Sequence, residues 1–400
     1  MSTTEQLRLL TTPSGPQPAA ADVAAVFDPA RLTQARQLAG MTKTALAQHV
    51  GVSAAAVGQW ESSTTPPRPD HLTRAAEALE VPIGFFALGR PYARLDASAA
   101  HFRCLRSTRA SQRAKAIRFV EQIWELAYAL EKRVRFPAVD LPGFRGGEPH
   151  PGEVPADPAQ AAQVLRRAWQ LGDGPIPHLV RTMETHGLLV TMVSFAGADT
   201  PRIDAFATSR LPRPTVVLTP DRADDVYEHR FAAAHELGHL LLHADIAPGD
   251  KQQEREADAF AAELLTPAGS IGPLLPARLN FPAFTELSLA WGVSLKSLIY
   301  RSRELGLMSE VTARRGYQRI EQMRKLGLIV AEPVTHYPGE TPCLLAKAFT
   351  IAQQQGLTHT KLAGELQWRV PRVRKLLGDN DSRPELTLIT TPRSAAATGS

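Results

Sequence analysis

The sequence predicts a multidomain, mainly α-helical protein with a small α+β domain in its middle and a helix-turn-helix bundle near its N-terminus. Three observations predict this fold class. Most apolar residues recur at helical spacing, in short segments that end at Gly or Pro. Strand-like runs are confined to residues 187–193 and 215–218. The 400 residues are enough for two to three average domains, and a composition of 44% hydrophobic and 21% charged residues is ordinary for globular proteins.

Composition and charge exclude several classes of protein. No apolar run approaches the roughly 20 residues that span a bilayer, so we expect no membrane partner. The N-terminus has no charged-then-apolar signal and two cysteines are too few for a disulfide framework, so we expect a cytoplasmic protein. The net charge of +5 is uneven: residues 90–135 hold eleven Lys and Arg against four Asp and Glu, whereas residues 200–270 hold seven against twelve. This distribution predicts distinct surfaces rather than one polyanion-binding coat.

Shifts in composition divide the chain. It begins with residues rich in Ala, Pro, Ser and Thr, and a long basic stretch from Arg90 to Phe136 has helical spacing. A segment dense in Pro and Gly follows. Two later helices are predicted at Tyr227–His243 and Lys251–Leu265. The predicted segments are a flexible arm (1–27), a helix-turn-helix domain (28–89), a basic helical connector (90–140), a linker (141–158), a mixed strand-and-helix domain (159–331) and a C-terminal helical domain (343–390).

Residues 42–61 carry the pattern of a helix-turn-helix. Thr42 can cap one helix, Gly51 supplies a tight turn, and Ser53 can cap a second helix. The sequence TKTALAQHVGVSAAAVGQWE resembles the Xre or lambda-repressor type of helix-turn-helix. This resemblance implies that the second helix enters the major groove of double-stranded operator DNA, and we expect a homodimer. The candidate DNA contacts are Thr42, Lys43, Ser53, Ala54, Ala55, Gln59 and Arg68.

A helical bundle that binds protein rather than DNA is the alternative for this domain. The domain is not basic, and its presumed recognition helix begins with Ser53 and three alanines, without Arg, Lys or Asn for bidentate contacts to bases. Ala and Ser can still contact thymine methyl groups and phosphates, and Gln59 can reach out from the helix. Lys43 and Arg68 can meet the DNA backbone. We favour DNA binding.

The segment HELGH at residues 235–239 has the spacing of a metal site. On a helix, His235 and His239 lie one turn apart on one face, so both imidazoles can reach one ion. Glu236 lies on the adjacent face, where its carboxylate can take a proton from water. Because two histidines, a glutamate and a downstream acidic helix coincide, we favour a metal site over an ordinary buried helix.

A catalytic zinc site needs a third protein ligand and one open position. His243 is too distant, because it lies eight residues from His235, about 12 Å along the helix axis. The next predicted helix is acidic, and Glu254 and Asp258 share one face of it. That pair suits a ligand and an acceptor that orients a ligating histidine. Glu256 points about 160° away from Glu254 and competes for the ligand role less well.

This span resembles the ImmA/IrrE family of zinc metallopeptidase-like regulators. The residues that carry the resemblance are RFAAAHELGHLLLH and EREADAFAAELLTP, with LGDGPIPHLVRTMETHGLLV and PTVVL upstream. The resemblance implies a zincin-like domain over residues 159–331. It implies that His235, His239 and Glu254 bind Zn²⁺ and that Glu236 is the base. At Asp258 the family usually has Asn, and the substitution keeps a hydrogen-bond acceptor.

These segments together predict a cytoplasmic DNA-binding transcriptional regulator whose zinc-dependent endopeptidase-like domain cleaves a partner repressor. Two alternatives stay open. In the first, the zinc domain is a catalytically silent sensor or interaction module. In the second, the protein is a free-standing peptidase whose N-terminal bundle only recruits the substrate.

Two further segments carry weaker patterns. The basic run at residues 101–118 is typical of a solvated helix face, with DNA phosphate contact or docking to the acidic domain as alternatives. Residues 357–377 resemble a second helix-turn-helix, but Pro371 and the isolation of the segment favour simple packing.

Overall fold

The computed structural model describes residues 18–87, 89, 95, 101–102, 110–145, 148–150, 152–192, 205–219, 225–244 and 250–378. Within these ranges the chain is mainly helical with one small mixed sheet, which confirms the predicted fold class. None of the helices in the described ranges combines the length and the apolarity that a membrane span needs. Residues 1–17 of the predicted arm, 103–109 of the basic run and 379–390 of the predicted C-terminal domain lie outside the described residues.

Five helices and a 3₁₀ turn form the N-terminal bundle. Thr42 caps the third helix by accepting a hydrogen bond from the Ala45 N–H (3.1 Å), and Gly51 ends that helix in the left-handed conformation (φ 77°). Ser53 caps the fourth helix by accepting from the Ala56 N–H (3.2 Å). The predicted helix-turn-helix is therefore present. The elements are α1 (Ala20–Ala25), α2 (Pro29–Leu38), α3 (Lys43–Val50), α4 (Ala54–Glu61), α5 (Pro69–Ala78) and the 3₁₀ turn at Ile83–Phe86.

A buried ion pair fixes α4 against the bundle. The guanidinium of Arg36 on α2 donates two hydrogen bonds to the carboxylate of Glu61, at 2.6 Å and 3.0 Å. It also donates to the carbonyl oxygen of Met41 (2.8 Å). Because a bidentate fork constrains both side chains, the pair sets the orientation in which α4 presents its outer face.

The remaining helices follow the bundle in chain order. Helix α6 (Ala110–Glu131) is the longest of those described. The mixed domain contains α7 (Pro158–Ala168), α8 (Leu179–Thr185), α9 (Val226–Leu242), α10 (Lys251–Leu265), α11 (Ala268–Ile271), α12 (Phe281–Trp291), α13 (Leu295–Glu304) and α14 (Glu310–Lys325). Short 3₁₀ turns lie at Gly272–Leu274 and Val334–His336, and the chain continues with α15 (Leu344–Gln354), α16 (His359–Leu366) and α17 (Val370–Leu377).

A four-stranded sheet lies between two hydrophobic cores. Its strands are β1 (His101–Phe102), β4 (Leu189–Met192), β5 (Ala205–Thr208) and β6 (Thr215–Leu218), and a separate two-stranded hairpin consists of β2 (Phe144–Arg145) and β3 (Glu148–Pro149). The order in the sheet is β1–β5–β6–β4, in which β4 and β6 are parallel and the other pairs are antiparallel. Side chains alternate between the faces of a strand. Leu189, Phe206 and Val217 therefore belong to one core, and Val190, Ala207 and Val216 belong to the other.

The first core joins the N-terminal bundle, α6 and the three C-terminal helices, so segments predicted as separate share one apolar interior. Polar contacts strengthen this union. Arg31 on α2 forms a buried ion pair with Glu125 on α6, and Gln34 donates to both Glu121 and Glu125 at 3.2 Å. The second core belongs to the mixed domain and packs on the opposite face of the sheet.

Three segments differ from their predicted conformation. Residues 20–25 of the predicted flexible arm form α1, because Val23 is buried against the bundle. The connector is not one continuous helix, since β1 pairs with β5 before α6 begins. The predicted linker contains the β2–β3 hairpin, and Leu141 and Phe144 are buried in the second core. In each case long-range packing overrides the local sequence signal.

The C-terminal helices repeat the backbone geometry of the N-terminal helix-turn-helix. Thr358 caps α16 by accepting from the Lys361 N–H (3.1 Å), and Gln367 takes the left-handed conformation (φ 53°) at the position that corresponds to Gly51. Residues 357–377 are thus a second helix-turn-helix, and they are also packed into the first core. The buried positions correspond: Leu362, Ala363 and Leu366 in α16 match Leu46, Ala47 and Val50 in α3.

Candidate metal centre and DNA-binding surface

Two helices of the mixed domain position the candidate metal ligands. Asp225 caps the start of helix α9, and its carboxylate accepts hydrogen bonds from the N–H groups of Tyr227 (2.9 Å) and Glu228 (3.3 Å). Asp250 caps helix α10 in the same way, by accepting a hydrogen bond from the Gln252 N–H (3.0 Å). Because α9 is rich in Ala and Leu on nearly all sides, it is buried, with the sheet and α10 packed against it.

Gly238 lets α9 and α10 approach each other closely. A Cβ atom at this position would lie 3.1 Å from the Cα of Ala257 and 3.1 Å from the ring of Phe260, both on α10. A larger residue here would push the two helices apart by a few tenths of an ångström, so glycine permits the close crossing. The close crossing brings the acidic side chains of α10 within reach of the histidines of α9.

Three candidate ligands converge between the two helices. The Nε2 atoms of His235 and His239 are 3.0 Å apart. One carboxylate oxygen of Glu254 lies 3.6 Å from His235 Nε2, and the other lies 3.5 Å from His239 Nε2. Both histidine side chains are 1% exposed, whereas that of Glu254 is 32% exposed, so the cluster is open on the side of the carboxylate.

The spacing of these atoms fits a zinc ion. Ligand atoms about 2.0–2.1 Å from a tetrahedral ion lie about 3.3 Å from one another. The observed separations of 3.0, 3.5 and 3.6 Å lie on both sides of that value. Two imidazoles and one carboxylate are also the donor set of known catalytic zinc sites, which keep a fourth position open. His235, His239 and Glu254 are therefore the residues that would hold the ion.

A hydrogen bond on the far side of His235 sets its tautomer. The Nδ1–H of His235 donates to the carboxylate of Asp258 (2.8 Å). This leaves the Nε2 lone pair directed toward Glu254 and His239. Glu254 and Asp258, one turn apart on α10, therefore contact the two nitrogens of the same imidazole.

A second set of contacts supports His239, and the sequence did not predict it. His239 Nδ1 lies 3.0 Å from His243 Nδ1, and His243 Nε2 lies 2.9 Å from a carboxylate oxygen of Glu256. Since the Nε2–H of His243 donates to Glu256, its Nδ1 accepts from the Nδ1–H of His239. His243 and Glu256 thus orient a candidate ligand instead of ligating. The only signal in the sequence was the four-residue spacing of His239 and His243.

Burial and neighbouring groups set the charge of the cluster. Burial lowers the pKa of His239 to about 4, so this imidazole is neutral at pH 7. Burial alone would raise the pKa of Glu254, but the neighbouring imidazoles of His235 and His239 outweigh it and lower the pKa to about 2. Metal ligands must be deprotonated, and both groups meet this condition at neutral pH.

The predicted base and a small cavity lie beside the cluster. Glu236 follows His235 on α9 and is fully buried. A cavity of about 200 Å³ includes Asp258 in its wall, together with the side chains of Phe231, Tyr300 and Tyr317. Its mixture of aromatic and polar groups is typical of a pocket that receives a side chain of a bound molecule.

A buried ion pair fixes α9 to Glu340, which lies between the predicted mixed domain (159–331) and the predicted C-terminal domain (343–390). Arg230 on α9 pairs with Glu340, and its guanidinium also donates to the carbonyl oxygens of Gly292 (2.8 Å) and Ile176 (2.7 Å). Glu340 accepts hydrogen bonds from the first two N–H groups of α8, at 2.9 and 3.1 Å. The segment around Glu340 is therefore a structural part of the metal domain.

The candidate DNA contacts on the recognition helix are small and uncharged. Thr42 and Ser53 are helix caps, as described above. Ala55 and Gln59 are exposed one turn apart on α4, and Ala54 is half-buried beside them. This outer face can offer methyl contacts and one amide to a DNA groove.

The two candidate cations of the helix-turn-helix are paired with acidic residues. Lys43 lies 3.3 Å from the carboxylate of Glu61, and Arg68 lies 3.5 Å from that of Asp70. Arg68 and Asp70 are both well exposed, so water weakens this pair. Neither cation offers its full charge to a phosphate backbone.

Two family models match the chain. Residues 32–86 match the helix-turn-helix model, and residues 183–303 match the model of the IrrE N-terminal-like domain, a peptidase family. The first match contains α3 and α4, and the second contains α9, α10 and the whole candidate metal cluster. A search of curated proteins gave no match. The chain therefore carries a domain similar to helix-turn-helix domains over residues 32–86, fused to a metallopeptidase-like domain of the ImmA/IrrE type over residues 183–303.

Proposed function

We propose that this protein is a cytoplasmic transcriptional regulator that binds operator DNA as a homodimer and cleaves a partner repressor with its zinc-binding domain. The observation that carries the proposal is the convergence of His235, His239 and Glu254 next to the buried Glu236. Each histidine of this cluster also has a second partner that fixes its tautomer. A metal site that served only to join two helices would not need an open position beside a buried carboxylate.

In this proposal each residue has a separate task. A zinc ion held by His235, His239 and Glu254 would act as a Lewis acid toward a peptide bond and water. Glu236 takes the proton from the attacking water and gives it to the leaving amine. The cavity lined by Phe231 and Tyr300 receives one side chain of the substrate and so positions the peptide.

The role of Glu236 gives the test. Glu236→Gln should keep zinc and the fold, because this residue is not one of the three proposed ligands. Gln is nearly isosteric but cannot accept a proton, so hydrolysis of the repressor should fall by roughly 10² or more. The target gene should then stay off in a reporter strain, as it should with His239→Ala. Normal regulation by Glu236→Gln together with failure of His239→Ala would instead identify the zinc domain as a catalytically silent sensor.

DNA binding needs its own test with the full chain. Sedimentation of the protein with a palindromic operator fragment should give two chains per duplex. One chain per duplex would contradict the homodimer. No preference for the operator over random DNA would leave the N-terminal bundle as a protein-docking element of a free-standing peptidase.

A further inference from the structure

A cleft lies between the N-terminal bundle and the C-terminal helix-turn-helix. It has a volume of about 530 Å³, within the range of small-molecule sites. One wall comes from the ends of α2 and α5 and includes Leu38, Met41 and Val81. The other wall comes from Trp368 and the start of α17. The cleft therefore touches α2 and α5 of the N-terminal bundle and the C-terminal helix-turn-helix, and it is far in sequence from the metal cluster.

The α17 side of the cleft is cationic. Arg369, Arg372 and Lys375 line it, and Glu80 is the one acidic residue among the lining side chains described. Among the described residues, no carboxylate lies within ion-pair distance of these three cations. This contrasts with Arg31 and Arg36, which have acidic partners.

Arg372 shows most clearly that a counter-charge is missing. Its guanidinium donates to the amide oxygen of Gln122 (2.8 Å) and lies over the ring of Phe119, with 5.4 Å to the ring centre. Burial lowers its pKa to about 10. Burial also lowers the pKa of Lys115, and the nearby charges of Lys375 and Arg372 lower it further. These cations have neutral hydrogen-bond partners and repel one another, so their charged forms are less stable than they would be beside an anion.

A polar group in the wall of the cleft also lacks a partner. Trp368 is 2% exposed, and its indole N–H is buried without a hydrogen-bond acceptor in the described part of the chain. A buried donor of this kind normally has a partner, and its absence costs stability. The wall of the cleft thus combines cations without a counter-charge and a donor without an acceptor among the described residues.

We propose that this cleft binds a small organic anion, whose charged group pairs with Arg372 and Lys375 and whose apolar body packs on Leu38, Met41 and Trp368. The molecule would contact both the N-terminal bundle, which contains α3 and α4, and the C-terminal helix-turn-helix, so the cleft is placed to act as an effector site. The binding itself is independent of the proposed function, because it involves neither zinc nor operator DNA.

A pair of fluorescent probes tests the proposal on the full-length protein. Anilinonaphthalene sulfonate is an anion with an aromatic body, and phenylnaphthylamine has nearly the same body without the charge. The wild-type chain should bind the anion at a saturable site of one per chain. The double variant Arg372→Gln/Lys375→Gln should weaken this binding by about tenfold or more, since it removes both charges, and should change binding of the neutral probe much less.

Control variants separate this outcome from a loss of structure. Lys347→Gln removes an exposed cation on α15 and should leave anion binding unchanged. The double variant Arg369→Gln/Lys375→Gln leaves the half-buried Arg372 in place, so circular dichroism should show a normal fold. It should still weaken binding of the anionic probe. Equal binding of the anion by the wild type and both double variants would overturn the proposal. It would also be overturned if the variants lost affinity for a random DNA duplex with a shallower salt dependence, because the cations would then serve phosphates of DNA.

Discussion

The candidate metal cluster and the candidate recognition helix are the two sites on which the proposed function depends, and they are built in opposite ways. In the cluster, the ligand atoms lie within 3.6 Å of one another, and each histidine has a second hydrogen-bond partner. On α4, the outer face is made of alanines and Gln59, and the nearest cations are already paired. A buried, converging site depends on every member, whereas an exposed face spreads its energy over many weak contacts. Single substitutions should therefore have large effects at the cluster and small effects on α4.

Loss of a ligand is the largest expected effect. The wild-type protein should contain about one zinc per chain, because three protein ligands define one site. His239→Ala removes one of them, so metal analysis of the purified protein should find less than about a tenth of that content. Gln59→Ala, on the recognition helix, should retain full zinc. Retention of full zinc by His239→Ala would mean that the ligand set is wrong.

The ion pair between Arg230 and Glu340 allows the same comparison of buried and exposed sites for the free energy of unfolding. Glu340→Ala leaves Arg230 buried without its counter-charge, which should lower the free energy of unfolding by about 3–5 kcal/mol. Glu365 is the matched control, because it pairs with Lys132 and Arg133 at the surface. Glu365→Ala should cost less than about 1 kcal/mol. Urea unfolding of both variants measures the difference, and equal costs would show that Glu340 does not brace the domain.

The outer partners of the histidines should have an intermediate effect. His243→Phe preserves a ring in the buried position but removes the hydrogen bond that orients His239, so zinc affinity should fall by about 10–100-fold. Glu254→Ala removes a ligand and should weaken binding more than this. Glu256→Ala removes only the outermost member and should weaken it least. Competition with a chelator ranks the three variants, and a larger loss for Glu256→Ala than for Glu254→Ala would reverse the assignment of the carboxylates.

The smallest effect is expected on the recognition helix. Gln59→Ala removes the one exposed amide of α4, and it should weaken binding to the operator by about 1 kcal/mol, roughly fivefold, with little change for random DNA. Gln355→Ala, exposed on the far end of the chain, should leave both affinities unchanged. Titration by fluorescence anisotropy measures both. A loss of several kcal/mol at Gln59 would show that α4 depends on single contacts as the metal cluster does.

Local signals in the sequence were sufficient for the helices that carry the site. The helix predicted at Lys251–Leu265 has the same bounds in the structure, because Asp250 is a capping residue and the apolar spacing is regular. The strand Thr215–Leu218 was also found. The strands β5 and β1 were missed. Each is only two to four residues long, which is too short for a clear alternating pattern. They pair with each other across about a hundred residues of chain, so the residues next to each strand do not indicate the pairing.

The site itself was predictable up to the point where two helices meet. The spacing of His235 and His239 follows from the turn of one helix, so it can be read from the sequence. The choice among the acidic residues of α10 depends on how close α10 comes to α9, which Gly238 controls. The contact of His243 with Glu256 depends in addition on side-chain rotamers. These are properties of the packed pair, and neither helix encodes them alone.

The two residues of β1 have a consequence for any cut in the chain. Their backbone pairs with β5, so β5 is an internal strand only while the connector is attached. A proteolytic or engineered fragment that began after the connector would expose the edge of β5 that pairs with β1 at Phe206 and Ala207. An unpaired strand edge can form backbone hydrogen bonds with a strand of another chain, which leads to aggregation. The connector therefore also protects the mixed domain against self-association.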